Sequence, residues 1–79
     1  MAVFPSMKAR ALRRVLKKSP LLYDLEEPGK GSHMTLISSA GYPPLTWAFH
    51  DGESLAPGLV RKILTKDVGL REEDARALV

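Results

Sequence analysis

The stretch Pro28-Gly29-Lys30-Gly31-Ser32-His33-Met34-Thr35-Leu36-Ile37 decides the fold, because it joins a glycine-hinged turn to a segment that alternates. Strand side chains point to opposite faces in turn, so Met34 and Leu36 share one face while His33, Thr35 and Ile37 take the other. Gly29 and Gly31 suit the turn, which delivers one histidine to the start of a strand. Gly31-Ser32-His33-Met34 also ends some expression tags. In mid-chain, behind Pro28-Gly29-Lys30 and with a matching pattern on both sides, it is read as native.

Outward from the turn the alternation continues. Leu21 to Glu27 sets Leu21, Tyr23 and Leu25 against Leu22, Asp24 and Glu26, and Leu45 to Phe49 sets Leu45, Trp47 and Phe49 against Thr46, Ala48 and His50. Residues 38–44, rich in Ser, Gly and Pro, form a loop by composition. Three strands in a meander follow, with Tyr23, Leu25, Met34, Leu36, Trp47 and Phe49 toward the helices. Both histidines, His33 and His50, then lie on the open face. Whether they line one site depends on strand register, which alternation leaves open.

Helices flank the strands. Ser6 is the expected N-cap of a first helix, whose apolar stripe runs through Met7, Ala11, Leu12, Val15 and Leu16 and ends near Lys18 before Ser19-Pro20. Arg10, Arg13, Arg14 and Lys17 take its opposite face. A second helix opens at Pro57, carries Leu59, Val60, Ile63 and Leu64 inward with Arg61, Lys62 and Lys66 outside, and closes at Gly69. Glu72, Glu73 and Asp74 start a short last helix whose acidic first turn suits the helix dipole. The expected class is α+β in the order α-β-β-β-α-α: a three-stranded antiparallel sheet with two helices on one face plus a short C-terminal helix. That is the layout of a double-stranded-RNA-binding-like (dsRBD-like) fold.

At 79 residues the chain is one domain, 1–79, with its core over about residues 6–78. Twelve Lys and Arg against nine Asp and Glu give +3, and six of the twelve cations fall between Lys8 and Lys18. Such a cluster suits a polyanion-binding helix, or a solvated helix face. With no cysteine, neither a disulfide framework nor a thiolate metal site supports the fold. The two histidines and nine carboxylates make no metal-ligand spacing, so no metal and no cofactor is expected. No apolar run approaches the ~20 residues of a membrane span, and the expected location is cytoplasmic.

The residues resemble the HicA family of RNA-cleaving toxins from type II toxin-antitoxin modules. Residues 7–16 look like that family's first helix, Lys30-Gly31-Ser32-His33 like its Gly-Ser-His motif, and Phe49-His50 through Leu64 like its third strand and second helix. Gly69-Leu70-Arg71-Glu72-Glu73 resembles the start of its last helix. The resemblance implies a metal-independent endoribonuclease (mRNA interferase) acting on mRNA, with His33 as catalytic residue and a HicB-type antitoxin as protein partner. His50 falls where many members carry a second histidine, in an auxiliary role.

Such cleavage needs a group that removes the proton of a ribose 2′-hydroxyl, and histidine, with an ordinary pKa of about 6.5, suits it. Lys30 is the nearest candidate to hold the phosphate. Gly31 and Ser32 complete the turn, and Arg10, Arg14, Arg61 and Lys62 are further phosphate-binding candidates. Two other readings stay open. One is a non-catalytic RNA-binding module of the same fold; the other is a protein-interaction domain, favoured by the carboxylates Asp24, Glu26 and Glu27.

Overall fold

The computed structural model describes residues 4–29, 31 and 33–79. It is a small α+β protein with three helices and a three-stranded antiparallel sheet. In chain order the elements are β1 (Met7–Lys8), α1 (Ala9–Lys17), β2 (Leu25–Pro28), β3 (Met34–Ile37), β4 (Leu45–Trp47), β5 (Ser54–Leu55), α2 (Pro57–Lys62) and α3 (Glu72–Leu78). Helix α2 continues as a wider π-helical turn over Ile63–Asp67, where the Val68 N–H reaches back five residues to the Ile63 carbonyl.

The expected order lacked two elements. β1 and β5 pair antiparallel, Met7 with Leu55 and Lys8 with Ser54, as a separate ribbon. This extends the chain as far as Lys8, so α1 starts at Ala9 instead of Met7 and Ser6 is not its cap. The first N–H groups of a helix lack partners within it. Here those of Ala9 and Arg10 donate to the carbonyls of Glu53 at 2.8 Å and Asp51 at 3.2 Å, which ties the helix start to the turn before β5. Ala9, Leu12 and Leu16 are fully buried along one stripe, and Arg10, Arg14 and Lys17 stand exposed on the other side.

β2, β3 and β4 lie in that order, with Leu36 opposite both Glu26 and Leu45, and Met34 opposite both Pro28 and Trp47. Residues paired across an antiparallel ladder share a face. Met34, Leu36, Leu45 and Trp47 therefore face inward as expected, and Leu36, Leu45 and Trp47 join one core with Leu12 and Leu16 of α1, Val60, Ile63 and Leu64 of the second helical segment, and Ala75 of α3.

The expected strand Leu21–Glu27 is corrected: only Leu25–Pro28 pairs. Leu21 and Tyr23 are buried, but they cap α1 instead of entering the ladder. The Leu22 N–H donates to the Lys18 carbonyl and the Tyr23 N–H to the Leu16 carbonyl, with Leu22 in the left-handed region at φ 53°. The Ser39 N–H then meets the Leu22 carbonyl one place out of step with the Leu25–Ile37 pair, so the alternation restarts. In consequence Leu25, expected inward, is 55% exposed on the outer face, and Glu26 turns inward. Glu26 stays exposed there and pairs with Arg13 of α1. The third strand likewise ends at Trp47 instead of Phe49. Phe49 still packs on the core, edge-to-face against Trp47 with ring centroids 5.1 Å apart.

Tyr23 donates its hydroxyl to the Pro43 carbonyl at 2.6 Å. Burial, with smaller contributions from Tyr42 and Asp67, pushes its phenol up to about 12. In the unfolded chain a tyrosine loses its proton near pH 10. Between these values the unfolded state binds fewer protons than the folded one, so stability falls as pH rises through 10 and continues to fall towards 12. The expected loss is roughly 3 kcal/mol in total. Urea unfolding of wild type and Tyr23→Phe at pH 8 and pH 11.5 checks this. The variant should be less stable at pH 8, having lost a hydrogen bond of about 1 kcal/mol, and should match or exceed wild type in alkali.

Candidate nucleic-acid site

The site is built from the hairpin upward. Beyond the last paired residues, Pro28 and Met34, the Gly29 N–H donates to the His33 carbonyl at 3.0 Å. The two backbones come so close that a Cβ on Gly29 would lie 3.0 Å from the His33 carbonyl oxygen and 3.2 Å from its carbon. Glycine is therefore favoured at position 29 by contact. At position 31 it is favoured by conformation, since φ is +62° with no atom within 4 Å of an added Cβ. His33 is exposed and directly precedes β3, whose alternation puts it on the outer face with Thr35 and Ile37. Two sequence candidates in this turn, Lys30 and Ser32, lie outside the described residues.

Register supplies what alternation left open. Met34 pairs with Trp47, the last residue of β4, so His33 on one strand and Ala48 on the other both lie just beyond the last pair, with His50 two residues after Ala48. Because β4 stops at Trp47, strand parity no longer assigns His50 to the open face. His50 belongs instead to the turn into β5, where its carbonyl accepts from the Glu53 N–H at 2.9 Å and its N–H reaches the Glu53 carboxylate at 3.4 Å. The same turn holds the first turn of α1 through the Asp51 and Glu53 carbonyls. Thus His33, His50 and the start of α1 belong to one end of the domain.

From that end a cationic groove of about 350 Å³ runs along α1, lined by Arg10, Arg13, Arg14, Lys17 and Asp51. Arg10, Arg14 and Lys17 are four and three residues apart and so lie on one face of the helix. Among the described residues none of the three is ion-paired. Arg13 differs, leaning on Glu26. Lys17 was read only as one of the helix cations, on the same face as Arg10 and Arg14, whereas nothing in the sequence marked Asp51 as a site residue.

Arg61 and Lys62 do not line this groove. Arg61 grips Glu72 through two bonds of 3.2 and 3.4 Å, and Lys62 lies 3.5 Å from Asp67. The hydrogen bond from Arg61 holds the Glu72 carboxyl below its usual range. Both cations therefore meet a carboxylate of their own helical layer before any phosphate arrives.

The three carboxylates that favour the protein-interaction reading are dispersed. Asp24 accepts from the Ser39 hydroxyl at 3.2 Å, Glu26 is turned inward to Arg13, and only Glu27, paired with Thr35, shares the outer face with His33. Among the described residues no three His, Cys, Asp or Glu side chains gather as metal ligands, and no helix is long and apolar enough to cross a membrane. No protein-family model, no curated protein and no solved structure matches the chain.

Proposed function

We propose that the chain is a HicA-type toxin: a metal-independent endoribonuclease that cuts mRNA through His33 and is silenced by a HicB-type antitoxin. The observation that supports it most is the pinning of an exposed His33 by the Gly29 backbone, at the end of the sheet that the His50–Glu53 turn links to the α1 groove. The succession α1, β2, β3, β4, α2, α3, with β1 and β5 as additions, supports a dsRBD-like fold.

In this reading RNA phosphates lie along Arg10, Arg14 and Lys17, and Lys30 holds the phosphate beside His33. The imidazole takes the 2′-hydroxyl proton, O2′ forms a bond to phosphorus, and the bond from phosphorus to O5′ breaks. The products are a 2′,3′-cyclic phosphate and a 5′-hydroxyl, whose oxygen takes up a proton from solvent or from His50. An imidazole base lets this proceed without a metal-bound hydroxide.

The test uses an RNA and an all-deoxy oligonucleotide of the same sequence, in excess chelator. The RNA should be cut and the DNA bound without cutting, because only RNA carries the internal nucleophile. Cutting of both would exclude attack by the 2′-hydroxyl. Affinity should fall with salt at a log–log slope of about −2.8, since Arg10, Arg14, Lys17 and Lys30 contribute about −0.7 each on single strands. In Arg10→Ala/Arg14→Ala the slope should shrink to about −1.4, the share of Lys17 and Lys30. A second reading, RNA binding without cleavage, is favoured by one feature: neither histidine lines the α1 groove. It predicts the same slopes with the RNA left intact.

A further inference from the structure

Trp47 is the only tryptophan of the chain and 4% exposed, and its indole N–H is buried without a hydrogen-bond partner among the described residues. Native proteins satisfy nearly all such donors, so an unmet one calls for a physical account. Trp47 lines a slot of about 130 Å³ with Leu45, Thr46 and Phe49 and with Leu59, Lys62, Ile63 and Asp67 of the second helical segment. A wider groove of about 510 Å³ shares Leu45, Thr46, Lys62 and Asp67 with the slot and carries it on to Pro44 and Lys66.

Both run beside β4, the last strand of the sheet, whose outer edge has no strand partner among the described residues. An unpaired edge is a template for an added strand, with pockets alongside it selecting alternate side chains. Lys66 has no ion-pair partner among the described residues, and Lys62 has only Asp67, so the rim carries a positive excess that favours a carboxylate. Backbone edge, apolar slot, unmet donor and cationic rim thus coincide on one strip.

We propose that the groove between β4 and α2 binds an extended segment of a partner protein, added as a strand along β4. One apolar side chain of that segment enters the slot, a carbonyl accepts from the Trp47 indole, and a carboxylate meets Lys62 and Lys66. Neither His33 nor the α1 groove takes part, so the surface stands or falls separately from RNA cleavage.

The test selects binders to the full chain from a displayed library of random short peptides and titrates a synthetic copy of the best one into nitrogen-15-labelled protein. The selected peptides should share an apolar residue followed closely by Asp or Glu. Binding should move the single indole N–H resonance and slow amide exchange across Leu45–Trp47. Lys66→Glu, at an exposed position, should weaken binding about tenfold. Trp47→Phe, which keeps a ring but removes the donor, should weaken it further where the variant folds. A library that yields no binder overturns the proposal. So does a bound peptide that leaves the indole resonance and the Lys66→Glu affinity unmoved, and so does an RNA that displaces the peptide and shifts the indole in its place.

Discussion

His33→Ala should leave RNA intact, with cleavage in excess chelator at least about 100-fold slower than wild type, the lower end of what a general base contributes. Fold and binding should both survive. His33 is exposed, lies outside β3 and contributes to the hairpin through its carbonyl, which alanine retains, so stability should stay within about 0.5 kcal/mol. RNA affinity should hold because the α1 groove is lined without it. A circular dichroism melt and a salt titration run on the same preparation separate loss of chemistry from loss of structure.

Gly29→Ala should cut turnover by roughly tenfold while leaving His33 in place chemically, since the backbone must give by only a few tenths of an ångström and a full misplacement of ~1 Å in a reacting group costs about 100-fold. A methyl at position 29 would press on the His33 carbonyl at 3.0 Å, tighter than nine in ten such contacts, and this neighbour is backbone instead of a side chain that can swing away. Either the bond from Gly29 to His33 opens or the turn shifts; both move the imidazole. Gly31→Ala is the control. It meets no atom within 4 Å but is held at φ +62°, so it should lower stability by about 1–2 kcal/mol without pushing on His33. Turnover and thermal midpoints of the two variants should therefore move in opposite rank order. Equal turnover losses would mean that hairpin stiffness, and not the 29–33 contact, sets the histidine.

Much of this architecture was legible because it rests on local periodicity. The α1 stripe, the inward phase of Met34, Leu36, Leu45 and Trp47, and the glycine turn before His33 all follow from repeats of 3.6 or 2 and from backbone chemistry. The failures occur where tertiary contacts override the repeat. Leu25 and Glu26 exchange faces because Leu22 turns left-handed to cap α1, and Ser39 engages it out of step. Ser6 loses the cap position to a ribbon of two-residue strands, too short for alternation to reveal. At the site, His33 and the cations of α1 were visible as residue types, whereas the pairing of Arg61 with Glu72 and of Arg13 with Glu26 joins elements whose meeting only the fold specifies. The slot under Trp47 is of the same kind. Its phase marks the residue as core, and only the packing around it leaves the indole without an acceptor.

The most direct measurement compares wild type and His33→Ala on one labelled single-stranded RNA in excess chelator, with the product ends identified by mass spectrometry. The ribonuclease account predicts 2′,3′-cyclic phosphate and 5′-hydroxyl ends from wild type and full-length RNA from the variant. Intact RNA with folded wild type, or the same cyclic ends from both proteins, would contradict it.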